Sequence, residues 1–238
     1  MAAELPPSGP GRPRLAELDA AARLRAGPAV RARPAASVIL VRDRPPAPTD
    51  SGSQDGDAPP GEVELLLVKR NPDARFMGGV WVFPGGAVDP GDGEGDAAHR
   101  AAAVRELAEE AGVEGIDPAS LVKFSRWITP AELAVRFDTH FFIARLPGEA
   151  PEPRVDGHEC VELAWMTAQE ALDAHADGGI LLVFPTIRQL EQLRGFTTVD
   201  AVVAHARDRR VTPARPRVIL TGESHRVVMP GEPGYDRG

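Results

Sequence analysis

The chain has a single cysteine in 238 residues, Cys160, so no internal disulfide can close and a cysteine-built zinc site is excluded. That usage fits a reducing compartment, and Cys160 reads as a structural thiol rather than a nucleophile. No apolar stretch approaches bilayer-spanning length, and the opening MAAELPPSGPGRPRLAELDAAARLRAG lacks a secretory signal pattern. A cytoplasmic protein with no membrane partner is expected. Excess positive charge is also missing. Lys and Arg number 27 against 35 Asp and Glu, a net charge of −8, which argues against broad nucleic-acid binding and leaves only a local basic cluster for a small anion. No internal repeat is present.

What the chain does have is a series of short apolar runs interleaved with helix-length segments. ASVILVRD (36–43) and VELLLVKR (63–70) have strand length and β-branched content. Between them, residues 44–62 read as a mobile loop rich in Pro, Gly, Asp and Ser. VWVFPGG adds a short strand and a glycine turn, and a helix capped by Asp96 is predicted over 97–111. Strands follow within SLVKFSRWITP, THFFIARLPG and ECVELAWM (159–166), then a helix capped by Thr167 and another over 183–195. This order is not a regular βαβ alternation, so it predicts an α/β fold with a mixed sheet packed between helices. Residues 1–35 read as a loosely ordered extension with a short amphipathic helix around Leu15, Leu18 and Leu24. Residues 36–195 form one domain, and 196–238 form a C-terminal extension packing on it.

The chemistry concentrates in RELAEEAG (105–112). At about 100° per residue, Glu106, Glu109 and Glu110 share one arc of a helix, with Val104, Leu107, Ala108 and Ala111 opposite. Like charges at i,i+4 repel, and acids beside the helix C-terminus oppose its dipole. A hard divalent cation held by carboxylate oxygens reverses the sign of that cost. The competing reading is a solvated, charged helix face.

FPGG (83–86) together with RELAEEAGV resembles the Nudix hydrolase signature: Gly, five residues, Glu, seven residues, then Arg-Glu-apolar-X-Glu-Glu-X-Gly-apolar. Gly86, Arg105, Glu106, Leu107, Glu109, Glu110, Gly112 and Val113 match. Asp92 replaces the first Glu, twelve residues rather than seven separate it from Arg105, and Glu94 is a rival for its place. The resemblance implies a Nudix-type α/β/α sandwich with a mixed β-sheet. It also implies Arg105, Glu106 and Glu109 in catalysis, with Glu106, Glu109 and Glu110 binding Mg²⁺ or Mn²⁺ that hold a diphosphate and activate water.

The segment LLVKRNPDARFMGGVWVFPGG (66–86) is similar to the motif ahead of the Nudix box in coenzyme A diphosphatases. Leu66, Leu67, Arg70, Arg75, Gly79, Phe83, Pro84, Gly85 and Gly86 are in register, while Val68 and Asn71 depart from the usual Thr and Ser or Ala. The resemblance implies substrate contacts at Arg70, Arg75, Gly79, Phe83, Gly85 and Gly86. Against it stand a solvated Arg pair bridged to Asp73 or a tail acid, and glycines that serve tight turns, with close backbone approach to a ligand weighed equally for Gly85 and Gly86. The implied reaction splits coenzyme A or acyl-coenzyme A into 3′,5′-ADP and (acyl-)4′-phosphopantetheine. ADP-ribose or a dinucleotide is the second substrate reading, and a nucleotide sensor without turnover the third. Glu159 on the strand before Trp165 is the general-base candidate, with Glu162 as alternative. Trp81, Trp127 and Trp165 read as core or rim aromatics, with an adenine platform at Trp127 beside Arg126 as the alternative, and His140 and His158 read as ordinary surface or core residues that are at best auxiliaries. The expected partner is a small nucleotide diphosphate derivative, with no nucleic acid, and a homodimer is carried as the expected assembly.

Overall fold

The computed structural model describes residues 27–45, 61–74, 76–148, 150–221 and 224–236. The leading helix around Leu15, most of the 44–62 loop and Arg75 therefore lie outside the described residues.

Strand β1 (Arg33–Asp43) is buried without interruption from Ala35 to Val41, the pattern of a strand covered on both faces. Its side chains alternate between two cores. Val38 and Leu40 join Leu66, Val68, Ala103, Leu107 and Phe142; Ile39 and Val41 join Leu65, Leu67, Phe124, Ile143 and Leu190. Helix α1 (Gly95–Ala111) covers the first face, and α2 (Ala168–Ala176), α3 (Phe184–Leu193) and α4 (Val199–Arg207) cover the second. The result is the expected α/β/α sandwich.

β1 also organises the sheet. It runs parallel to β6 (Phe137–Arg145) along most of its length. On its other edge it is shared by two partners, β4 (Gly85–Ala87) opposite Ala35 to Ser37 and β2 (Val63–Arg70) opposite Val41 to Asp43. β2 continues to β3 (Trp81–Val82) and β7 (Cys160–Thr167), while β6 continues to β5 (Val122–Ile128) and β8 (Pro213–Ala214). Parallel and antiparallel pairs coexist, so the sheet is mixed. The remaining strands, β9 (Arg217–Thr221) and β10 (Ser224–Val228), form a separate hairpin.

The start of α1 differs from expectation. The helix begins at Gly95 with Glu94 in capping position and no side-chain cap bond, while Asp96 lies inside the first turn. Arg100 Nε and Lys123 Nζ hold Asp96 at 2.8 and 2.5 Å, so its oxygens serve side chains rather than the free N–H groups of the helix end. The extra residues between Asp92 and Arg105 are absorbed mainly as additional helix. At the far end Gly112 adopts φ 65° and returns its N–H to Ala108 O at 3.0 Å, a left-handed cap that glycine adopts without strain.

Candidate active site

The glycine turn is fitted against β1. Ser37 Oγ donates to Pro84 O at 2.8 Å, and Val38 N–H donates to the same oxygen at 2.9 Å. A Cβ on Gly85 would stand 2.4 Å from Ala36 O, and one on Gly86 would stand 2.5 Å from the Glu106 carboxylate. These two glycines let the turn lie on β1 and let Glu106 lie on the turn. Gly79 is different: it has φ +77° with open space around it, which is the tight-turn role. Phe83 is a correction. Its ring is 3% exposed within the core beneath α2 and α3, so it is closed to substrate.

From this turn, α1 places its three acids in three environments. Glu110 is 2% exposed; Oε2 accepts from Gly85 N–H at 2.8 Å, while Oε1 has no hydrogen-bond partner and faces Arg70 Nη1 at 3.7 Å. Glu106 is half-buried and accepts from Arg105 Nη1 at 2.8 Å. Glu109 is exposed and accepts from the same nitrogen at 3.0 Å. Glu110 therefore lies with buried Leu107 and Ala111, at the border of the arc where helical periodicity alone puts it with the solvent side.

Arg105 ties the loop to the helix. Its Nε and Nη2 reach the two Asp92 oxygens at 3.1 and 3.0 Å, and Nη2 also donates to Ala87 O at 3.0 Å. Asp92 rather than Glu94 thus occupies the place of the first signature acid, and Arg105 acts as a positioning residue. The Arg105 guanidinium holds the Asp92 carboxyl below the usual range.

Arg70 faces Glu110 rather than Asp73, and its Nε is buried without a partner. Glu159 precedes β7 instead of lying on it, because the strand begins at Cys160. Asn71 fixes that bend: its N–H donates to Glu159 O at 2.8 Å and its Nδ2 to His158 O at 2.8 Å. Burial raises the Glu106 carboxyl, with the charges of Glu109 and Glu159 adding smaller pushes in the same direction. Glu162 points to Lys69 Nζ at 2.6 Å, an ordinary surface pair. Exposed His158 contributes its carbonyl, and His140 stacks on His99, 3.9 Å between centroids, at the opposite end of α1. Trp127 is 6% exposed and meets Phe184 edge-on, so it is core rather than an adenine platform. In the sequence Asn71 stands out only as a departure from the motif, although the Asn-Pro-Asp turn signal marks its bend, and nothing local marks Ser37.

Residues 56–183, more than half the chain, match the family model for the NUDIX domain. The chain belongs to the Nudix family. This Nudix protein is 29% identical over 165 residues to putative nudix hydrolase 7 of Caenorhabditis elegans, with 54% of this chain and 55% of that relative covered. It thus spans about half the length of the worm relative. It is 22% identical over 307 residues to an acyl-coenzyme A diphosphatase of Gallus gallus, covering 85% of this chain and 79% of the relative. A crystal structure of a Nudix hydrolase from Alicyclobacillus acidocaldarius superposes with a TM-score of 0.58 at 26% identity, covering 73% of this chain and 96% of the other. Nudix hydrolases work with divalent metal ions, and the family and fold of this chain are theirs.

The Nudix helix fits such an ion by its donor set. Among the described residues no three His, Cys, Asp or Glu side chains already converge as a cluster, and Arg105 Nη1 bridges Glu106 and Glu109. Yet Glu110 Oε1 is a buried acceptor without a well-formed hydrogen bond, and burial pushes the Glu110 carboxyl up to about 7 despite Gly85 N–H, Arg70 and the neighbouring Cys160 thiol. Burial raises Glu106 as well. A buried carboxylate short of counter-charge, as Glu110 is, is what a hard cation satisfies. Fully buried Cys160 sits beside them with its thiol pushed up by burial and by Glu110, which keeps it protonated and inert.

Proposed function

We propose that this Nudix pyrophosphohydrolase cleaves the diphosphate of coenzyme A or an acyl-coenzyme A, with Mg²⁺ or Mn²⁺ held by Glu106, Glu109 and Glu110. The observation that carries the reading is the buried Glu110 carboxylate, fixed by Gly85 N–H and left with one empty oxygen beside Arg70. The substrate rests on the spacing of Arg70, Arg75, Gly79 and the FPGG turn, and on the distant likeness to the chicken diphosphatase.

Bound there, the cation supplies charge neutralisation of the diphosphate and a lowered pKa for water. The protein supplies position. Gly85 N–H orients Glu110, Gly86 admits Glu106, and Arg105 holds Glu106 and Glu109 in register with Asp92. Arg70 offers a planar donor to a phosphate oxygen on the same side, and the motif spacing gives Arg75 a like role. Glu159, held by the Asn71 bend, takes the proton of the attacking water. The products are 3′,5′-ADP and (acyl-)4′-phosphopantetheine, and the setting is the cytoplasm.

The test is a substrate panel of coenzyme A, an acyl-coenzyme A, ADP-ribose and a dinucleotide, with Mg²⁺ or Mn²⁺. Release of 3′,5′-ADP from the coenzyme A species at the highest rate is expected, and EDTA should abolish it. Equal rates across the panel would remove the coenzyme A assignment. Nucleotide binding with no hydrolysis at all would favour a sensor.

A further inference from the structure

Glu159 is an exposed residue outside any strand, one position before β7 begins. A side chain in such a place ordinarily shares the freedom of its loop. Here both of its backbone polar groups are taken by protein partners. Its N–H donates to Asp156 Oδ2 at 2.9 Å, and its carbonyl accepts from Asn71 N–H at 2.8 Å. The flanking residues are tied by the same two partners. Cys160 N–H donates to Asp156 Oδ1 at 2.9 Å, and His158 O accepts from Asn71 Nδ2 at 2.8 Å. Asp156 therefore presents one oxygen to each of two successive N–H groups, with Glu159 between its clamp and that of Asn71.

The two ends of this bend are anchored differently. Cys160 is fully buried and pairs with Arg70 across β2 and β7, where the register of the two strands shifts. Gly157 turns the other end with φ +76°, a conformation glycine adopts without strain, and donates to Cys160 O at 3.0 Å. Burial works against the Asp156 carboxylate, but the N–H groups of Glu159, Cys160 and His158 hold its carboxyl below the usual range. It stays ionised, and bonds to an ionised acceptor are about twice as strong as neutral ones. Position matters at Glu159, because a base must lie within hydrogen-bond reach of the proton it takes, and a misplacement of about 1 Å can cost about 10²-fold in rate. A backbone fixed on both sides removes much of that freedom before substrate arrives.

We propose that Asp156 is a positioning residue for Glu159, holding the N–H groups of residues 159 and 160 so that the Glu159 carboxylate is preset toward the attacking water. The inference rests on the reading of Glu159 as the general base. Both Asp156 oxygens are taken by backbone N–H groups, so it acts through Glu159 and not on the substrate.

The test is a double-mutant cycle on kcat and KM with saturating Mg²⁺ and the fastest substrate of the panel, using Asp156→Ala, Glu159→Gln and the variant carrying both. Glu159→Gln should lower kcat by about 10²-fold or more, as for loss of a general base. Asp156→Ala should lower kcat about tenfold with KM unchanged, and should cost nothing further once Glu159 is Gln. Asp156→Asn, which keeps one acceptor oxygen, should recover part of the loss, and it carries the test if the alanine variant does not fold. Wild-type kcat in the Asp156 variants, a loss that falls on KM instead, or losses that multiply in the double variant would overturn the positioning role and leave Glu159 as the base. Full activity in Glu159→Gln, or no turnover by the wild type, would remove the base itself and the role of Asp156 with it.

Discussion

The two ends of helix α1 carry acids in opposite electrostatic states. At the N-terminal end, Asp96 receives Lys123 and Arg100 within 2.8 Å, and these cations pull its carboxyl down to about 2. At the C-terminal end, Glu110 is buried with one oxygen empty and a single guanidinium 3.7 Å away, and its carboxyl rises to about 7. Asp96 is complete without help. Glu110 is complete only with a proton or a cation. The contrast shows that what marks the site on this helix is a shortfall of counter-charge in a place sealed from water, not the number of acids.

The comparison breaks first if the acids of the C-terminal end can be neutralised without harm. Glu109→Gln and Glu110→Gln should each lower turnover by about 10²-fold or more, because the charge that holds the cation is gone, while folding stays nearly intact. Full activity in both, measured with saturating Mg²⁺, would make the two ends equivalent. Gly86→Ala comes next. Its Cβ would stand 2.5 Å from the Glu106 carboxylate, and a displacement of that order costs roughly tenfold to 10²-fold in rate. Normal kcat/KM in this variant would mean that the seat of Glu106 on the turn is immaterial.

The complete end should answer differently. Asp96→Asn is expected to cost about 0.5–1 kcal/mol in denaturant unfolding, a modest loss because its side chain is half exposed, and to leave the rate alone. A rate loss like that of Gly86→Ala would erase the distinction. The smallest effect concerns His140, also at this end. Burial first, then His99, Lys123 and Arg126, depress its pKa from 6.5 to about 4, against the weaker pull of Asp138 and with Asp96 3.9 Å away. The unfolded chain then binds the proton first, so this contribution to stability is full above about 6.5 and is lost as pH falls through about 4. The urea midpoint of the wild type should fall more steeply across that window than that of His140→Asn. Equal slopes would contradict a buried, neutral imidazole.

Much of the fold was legible because its signals are local. The unbroken apolar run of β1 and the Thr167 cap need no knowledge of what packs on them, and both stand as read. The site was legible as a spacing, since Glu106, Glu109 and Glu110 are fixed by helix geometry. What the spacing hides is tertiary. Glu110 lies at the edge of the arc, and only its contact with Gly85 N–H shows that it is buried. Phe83 belongs to the same motif as Gly85 and Gly86, but the turn directs its ring into the opposite core. Glu159 misses β7 by one residue because Asn71 and Asp156 fold the chain into a bend there. The choice between Asp92 and Glu94 depended on how far α1 would extend toward its start, which its weak capping signals did not reveal.

The most direct test titrates Mn²⁺ into the metal-free protein by calorimetry, comparing wild type, Asp96→Asn and Glu110→Gln. Wild type and Asp96→Asn should bind alike, with Glu110→Gln weaker by at least about tenfold. Undiminished binding in Glu110→Gln, or a matching loss in Asp96→Asn, would contradict the claim that the cation belongs to the buried, under-neutralised end of the helix.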